Sequence, residues 1–276
     1  MNITFLDGAL GSNLLQTASA NVFELNLTHP DLVAQLHREY VAAGAQIVAS
    51  NTFGVNRISA AKTNYAVGEL IEAGLQIAFD AISDTDTAKV AFDIGPLPAL
   101  LEPFGDLSEE ECSEIYAEIL ASGISQKPNY IFFETFMDVE MLKLAVAVAD
   151  NYDVPILAAM SFLPVGKTIM GNSVDDFLAA MSKFKNVVAV GLNCSDTPTN
   201  LAKVVQEFAA KSSWPIIIKP NAGLPQSVDG EISYATDAEF FAAEMAYALQ
   251  IPNAYVGGCC GTTPLHIQQL VVQYSK

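Results

Sequence analysis

The sequence predicts a (β/α)8 barrel built as one domain over residues 1–276. Three observations carry this. Eight short β-rich runs alternate with helical stretches, at 3–6, 46–50, 89–94, 130–134, 156–161, 187–192, 216–219 and 254–256. Those runs are mostly continuous in apolar residues rather than alternating, as expected of parallel strands covered on both faces. The length of 276 residues, 51% of them hydrophobic, suits a barrel, which typically takes about 250 residues. The rival is a doubly wound open sheet, and no strand here is followed by the glycine-rich dinucleotide turn that would support it.

The elements follow in order. After the first strand, Leu32, Val33, Leu36 and Tyr40 share one face of a helix over 29–43 that stops at Gly44. After the second strand, residues 56–83 read as one long helix or two short ones. Past the third, Ser108 and Glu111 have capping-box spacing ahead of Ile115, Ile119 and Leu120. The fourth and fifth strands lead to a helix that Ser173 opens before Phe177, Leu178 and Met181. Thr197 with Pro198 at the first helical position follows the sixth strand. Residues 220–235, past the seventh, read as one irregular βα-loop near the site. Thr236 with Glu239 then precedes Phe240, Phe241 and Met245, and Thr263 with Pro264 opens the last helix beyond the eighth strand. No linker or low-complexity segment interrupts this rhythm.

Composition excludes some functions. Thirteen basic against 31 acidic residues give a net charge of -18. Nucleic acid and anionic membranes need a basic surface, so neither is expected as a partner. No apolar run reaches the roughly 18 residues that cross a bilayer, and the first residues lack the basic and apolar regions of a signal peptide, so the expected location is the cytoplasm. Four cysteines in a chain of this length do not make a disulfide framework; metal binding or catalysis is the better use for them.

In such barrels the chemistry sits at the C-terminal ends of the strands. Those ends hold Asp7 and Gly8, the run 50–54, Asp93, Glu134 with Thr135, Ser161, Asn193 with Cys194 and Ser195, the run 220–223, and the Gly-Gly-Cys-Cys-Gly run at 257–261. Cys194, Cys259 and Cys260 end on one rim, where their thiolates can converge. Three thiolates hold a Zn2+ ion tetrahedrally and leave its fourth position open, the pattern of catalytic rather than structural zinc. Adjacent residues of a strand face opposite ways, so Cys259 and Cys260 can share an ion only past the strand end, where Gly257, Gly258 and Gly261 supply the freedom. A strained vicinal disulfide, or free buried thiols, are the alternatives. Cys112 falls inside a helix and reads as packing or surface; His29, His37 and His266 have no ligand spacing and read as structural.

Zn2+ with three thiolates carries a net charge of -1. It is therefore a poor maker of hydroxide, yet it binds a substrate thiol as thiolate. Asp7 and Glu134 suit an ammonium group, and the N–H groups of the turn 7–11, Gly8 among them, suit a carboxylate. A thiol with an amino-acid head is the expected substrate.

The runs 7–11, 24–27, 50–53, 134–135, 191–194 and 257–264 together resemble the homocysteine S-methyltransferase family over nearly the whole chain. The run 219–225 is most like the homocysteine-binding module of cobalamin-dependent methionine synthase. The resemblance implies a (β/α)8 barrel, a catalytic zinc on Cys194, Cys259 and Cys260, and homocysteine held through its amino group by Asp7 and Glu134. It also implies that Asn221 takes the fourth zinc position until homocysteine replaces it. The function expected is methylation of homocysteine to methionine. The methyl donor stays open between a corrinoid protein, a methylfolate-derived group and an S-methylmethionine-type molecule, since the methionine synthase continues into further modules and nothing in this sequence resembles a cobalamin site. The alternative is the homocysteine-binding subunit of a split methionine synthase, active only with a separate corrinoid or methylfolate partner.

Overall fold

The computed structural model describes residues 2–15, 21–228 and 231–274. Among the described residues there are ten strands: β1 (Thr4–Phe5), β2 (Ile47–Ala49), β3 (Lys89–Ile94), β4 (Tyr130–Phe136), β5 (Ile156–Met160), β6 (Val187–Asn193), β7 (Ile216–Lys219), β8 (Pro225–Val228), β9 (Glu231–Tyr234) and β10 (Tyr255–Val256). Eight of them form one parallel sheet in the order β1-β10-β7-β6-β5-β4-β3-β2. The ends of that sheet meet. Leu6 bridges Ile47 in parallel, Gln46 N–H donates to the Phe5 carbonyl at 2.7 Å, and Asp7 N–H donates to the Ile47 carbonyl at 3.1 Å. The sheet is thereby a barrel, as the eight runs predict.

The helices are α1 (Gly11–Leu14), α2 (Leu25–Thr28), α3 (Pro30–Ala42), α4 (Arg57–Ala60), α5 (Val67–Ala81), α6 (Glu109–Ile124), α7 (Val139–Ala149), α8 (Val174–Met181), α9 (Pro198–Lys211), α10 (Ala238–Glu244) and α11 (Pro264–Tyr274). Residues 56–83 are thus two helices. Ser108 caps α6 by accepting from Glu111 N–H at 3.1 Å, and Thr197 caps α9 from Asn200 N–H. The cap of α10 is Asp237, which accepts from Phe240 N–H at 2.8 Å, rather than the predicted Thr236. Thr236 instead uses its carbonyl on His266 Nε2 at 3.0 Å. None of the helices among the described residues is long and apolar enough to cross a membrane.

The predicted loop 220–235 also differs. It contains the antiparallel pair β8–β9, with Gln226 opposite Ser233. The Asp-Gly dipeptide at 229–230, outside the described residues, is the kind of sequence that favours tight hairpin turns. The mixed polar and apolar residues on either side hid the two short strands. Thr236 N–H donates to the Ala222 carbonyl at 3.2 Å, so the excursion leaves and returns at one point.

Two apolar clusters result. The larger lies between strands and helices. The smaller fills the barrel itself with Leu6, Ile47, Ala91, Phe132, Leu157, Ala159, Ala189 and Ile217. Strand side chains repeat with period two, so the residues two places on from Ala91, Phe132 and Ile217 also face inward, nearer the C-terminal rim. Those residues are Asp93, Glu134 and Lys219. The barrel interior is oily in its middle and charged at its C-terminal end.

Candidate active site

A cavity of about 380 Å3 opens at that end, with Gly8, Asp93, Glu134, Lys219, Cys194 and both vicinal cysteines among its walls. The volume lies within the range of small-molecule sites.

The three cysteines come together as the strand ends require. In the sheet, β7 lies between β6 and β10, so Cys194 and the pair Cys259–Cys260 flank one strand. Its C-terminal extension pins both. Cys194 N–H donates to the Lys219 carbonyl at 3.2 Å, Cys259 N–H to the Pro220 carbonyl at 2.8 Å, and Ala222 N–H to the Cys260 carbonyl at 2.9 Å. Cys194 leaves β6 in the left-handed region at φ 49°, which turns its side chain toward the pair. Gly261 has φ 82°, and a Cβ there would lie 2.2 Å from the Tyr234 ring, so only glycine lets β9 close over the cysteines. The three sulfurs lie within 4.8 Å of one another, Cys194 and Cys260 at 3.3 Å. Tetrahedral zinc–thiolate bonds of about 2.3 Å set sulfurs about 3.8 Å apart, within that spread. Cys260 is held down at about 3 by hydrogen bonds from the Cys194 and Cys259 thiols. Cys259 is pushed well up by its hydrogen bonding to the Cys194 and Cys260 sulfurs and by burial.

Further support surrounds them. Asn221 is buried, and its Oδ1 has no hydrogen-bond partner. Asn193 is fully buried and reaches within 3.8 Å of Cys259 Sγ. Thr262 Oγ1 donates to the Cys259 carbonyl at 2.7 Å and accepts from Ala9 N–H at 3.1 Å, which ties the turn after β1 to the cysteine loop and commits one of the N–H groups expected for a carboxylate.

The opposite wall is acidic. Glu134 sits where the register of β4 against β5 shifts, and Thr135 beside it has φ 64°. Asp7 and Glu134 stand together, but a third group stands between them: Lys219 Nζ is 3.2 Å from Asp7 Oδ1 and 3.3 Å from Glu134 Oε2. Asp7 Oδ2 accepts from Ala49 N–H at 2.7 Å. Burial raises Asp7 and Glu134 against the opposing pull of Lys219. Against its own burial, Lys219 is held well above the ordinary lysine range by Glu134 and Asp7. Asp93 is pushed well up by burial and then by the charge of Glu134.

Lys219 was missed at the level of sequence, where it marks only the end of a strand. Asp93 was visible on the rim without a role. The inward period counted from Ile217 and Ala91 is the signal that places both.

A closed parallel barrel with three convergent thiols and an acidic wall defines a class: barrels whose C-terminal rim carries a cysteine cluster with the spacing of a metal site. The homocysteine S-methyltransferase profile matches residues 4–273, and the chain belongs to that family. Methionine synthase of Mycobacterium tuberculosis is 28% identical over 290 residues, covering 96% of this chain and 24% of that protein. Methionine synthase of Mycobacterium leprae is 27% identical over 296 residues, covering 98% and 24%. The chain therefore spans about a quarter of the length of these curated relatives. Among solved structures, the metallated form of the homocysteine methyltransferase MmuM from Escherichia coli superposes with a TM-score of 0.81 at 18% identity, covering 99% of this chain and 96% of that one. At that identity the likeness concerns the fold.

Proposed function

We propose that residues 1–276 form one homocysteine-binding unit that methylates homocysteine to methionine at a zinc centre on Cys194, Cys259 and Cys260. The observation that carries this is the placing of three sulfurs within 4.8 Å of one another in the wall of the cavity. The donor set suits zinc: all soft, three in number, with the orphaned Oδ1 of Asn221 available as a fourth ligand while substrate is absent. Zinc, when bound, supplies the positive charge that keeps a substrate sulfur deprotonated at neutral pH yet still nucleophilic.

The chain's own residues do the rest. Backbone bonds from the β7 extension hold the cysteines, so that little reorganisation accompanies binding. Gly8 and Glu134 line the end of the cavity for the amino-acid head, and Lys219 keeps the carboxylates of Glu134 and of Asp7, just behind the wall, in place. The homocysteine sulfur attacks the methyl carbon of the donor. A sulfur–carbon bond forms, the bond from methyl to donor breaks with its electron pair leaving on the donor, and the thiol proton goes to solvent.

Zinc content and methyl transfer measured on the same samples test this. Alanine at any one of the three cysteines is expected to remove both. Full zinc stoichiometry in Cys260→Ala overturns the assignment.

A second reading is favoured by one observation. Apolar side chains stand exposed on the loops around the cavity mouth: Leu100 and Phe104 after β3, Val165 and Ile169 after β5, and Leu224 after β7. On this reading the chain is the homocysteine-binding part of a split methionine synthase, and a separate corrinoid or methylfolate protein brings the methyl group. Purified chain assayed with S-methylmethionine, betaine and free methylcobalamin separates the two. Robust turnover with a small donor alone excludes a partner requirement.

A further inference from the structure

We propose that Asp93, with Glu134, receives the ammonium group of the substrate, and that Asp7 acts instead as an anchor for Lys219. The inference rests on the homocysteine reading and specifies its acidic end.

The argument begins with partners. Asp7 is saturated: one carboxylate oxygen accepts from Ala49 N–H at 2.7 Å and the other pairs with Lys219. It is 1% exposed and forms none of the cavity wall. Asp93 is the opposite. It is 4% exposed, it forms part of the wall, and its Oδ1 has no hydrogen-bond partner. Its backbone is fixed on both sides, because Asp93 N–H donates to Ser50 Oγ at 3.1 Å and the Asp93 carbonyl accepts from Thr52 Oγ1 at 2.7 Å. A buried carboxylate oxygen left bare is costly, and it is retained where a ligand completes it.

Charge points the same way. Three carboxylates, Asp7, Asp93 and Glu134, face one ammonium, Lys219, and all four side chains are buried. Lys219 bonds two of them and leaves Asp93 Oδ1 bare. One more cation with hydrogens to donate fits there, and the cavity extends from that point to the cysteines. Burial and the neighbouring Glu134 charge favour a proton on Asp93 while the site is empty, and an arriving ammonium reverses that preference. A substrate with a thiol at one end and an ammonium at the other matches both walls.

The test is a comparison of two ligands by calorimetry on the zinc-loaded chain: L-homocysteine and 4-sulfanylbutanoate, which lacks only the amino group. Wild-type protein is expected to prefer homocysteine by about ten- to a hundred-fold, the range of one charged hydrogen-bonded contact. In Asp93→Asn that preference should fall to within about three-fold, with zinc content and affinity for 4-sulfanylbutanoate unchanged. Asp93→Ala gives the same readout should the amide disturb the fold. An unchanged preference in folded, zinc-loaded variants overturns the Asp93 assignment and leaves the homocysteine reading intact. Absence of binding of either thiol to the wild-type protein overturns the homocysteine reading itself.

Discussion

Asn193 grips Thr135 at both ends of its amide: Nδ2 donates to Thr135 Oγ1 at 2.7 Å, and Oδ1 accepts from Thr135 N–H at 2.7 Å. The grip holds a β-branched residue at φ 64°, a conformation that costs about 1–3 kcal/mol unless its surroundings impose it. The same Nδ2 approaches Cys259 Sγ, so one buried amide joins the acidic wall to the sulfur wall.

Asn193→Ala should therefore destabilise the protein by about 2–3 kcal/mol, from two lost buried hydrogen bonds and the partners they leave unpaired, a loss that relaxation of Thr135 offsets only in part. Urea unfolding measures this. Homocysteine affinity should fall as well, because Glu134 adjoins the residue set free.

Lys219→Met removes the cation between two buried carboxylates while keeping the stem's volume. Breaking a buried pair from one side costs about 3–5 kcal/mol. The loss should shrink on acidification, since protonated Asp7 and Glu134 no longer need a partner. Urea midpoints at pH 7.5 and 4.5 test both parts, and an equal loss at the two values would argue that packing, not charge, is what the lysine supplies.

His37 makes a prediction about acid. It is fully buried, neither ring nitrogen has a partner, and its pKa is lowered to about 4 by burial and by the Arg38 charge. A depressed folded-state value contributes stability above the unfolded value of about 6.5, lost as pH falls through about 4. Across that window wild-type protein should lose about 3 kcal/mol that His37→Leu does not. Parallel urea titrations from pH 7.5 to 4.5 would show the two curves diverging toward acid.

Asp93→Asn should have the opposite pH signature. A carboxyl whose folded-state pKa is raised stabilises below its unfolded value and loses that contribution as pH rises. The variant's Tm should match that of wild type near pH 4 and exceed it progressively toward pH 8. A stabilised protein that binds its ligand worse is the expected trade at a functional site.

Metal loading should raise stability by mass action, by about 4 kcal/mol at free zinc a thousand-fold above Kd. A chelator should lower Tm accordingly, and Cys194→Ser should be insensitive to chelator. Differential scanning calorimetry reads both.

Much of this was legible in the sequence, for physical reasons that differ by residue. The strands are continuous apolar runs because both faces are covered, and α6 and α9 announce their starts with Ser108 and Thr197. The cysteine cluster was legible because Cys194, Cys259 and Cys260 all follow strand ends, and a barrel gathers strand ends on one rim. Lys219 was not, because a lysine closing an apolar strand looks like a side chain bound for water. Its role appears only once closure brings β1 and β4 to face β7, joining residues 212 and 85 positions apart. Asp237 displaced Thr236 as the α10 cap because both residues can cap and local spacing does not choose between them. The hairpin β8–β9 was hidden by its polarity.

The end of β7 has a consequence for selectivity. Lys219 orders the acidic wall, and the carbonyls of Lys219 and Pro220, with Ala222 N–H just beyond, fix the backbone of all three cysteines. Three positions within one four-residue stretch therefore set the span between the place for an amino group and the place for a sulfur. On the proposed reading the strand end works as a gauge of chain length: cysteine, one methylene shorter than homocysteine, is expected to bridge the two walls less well.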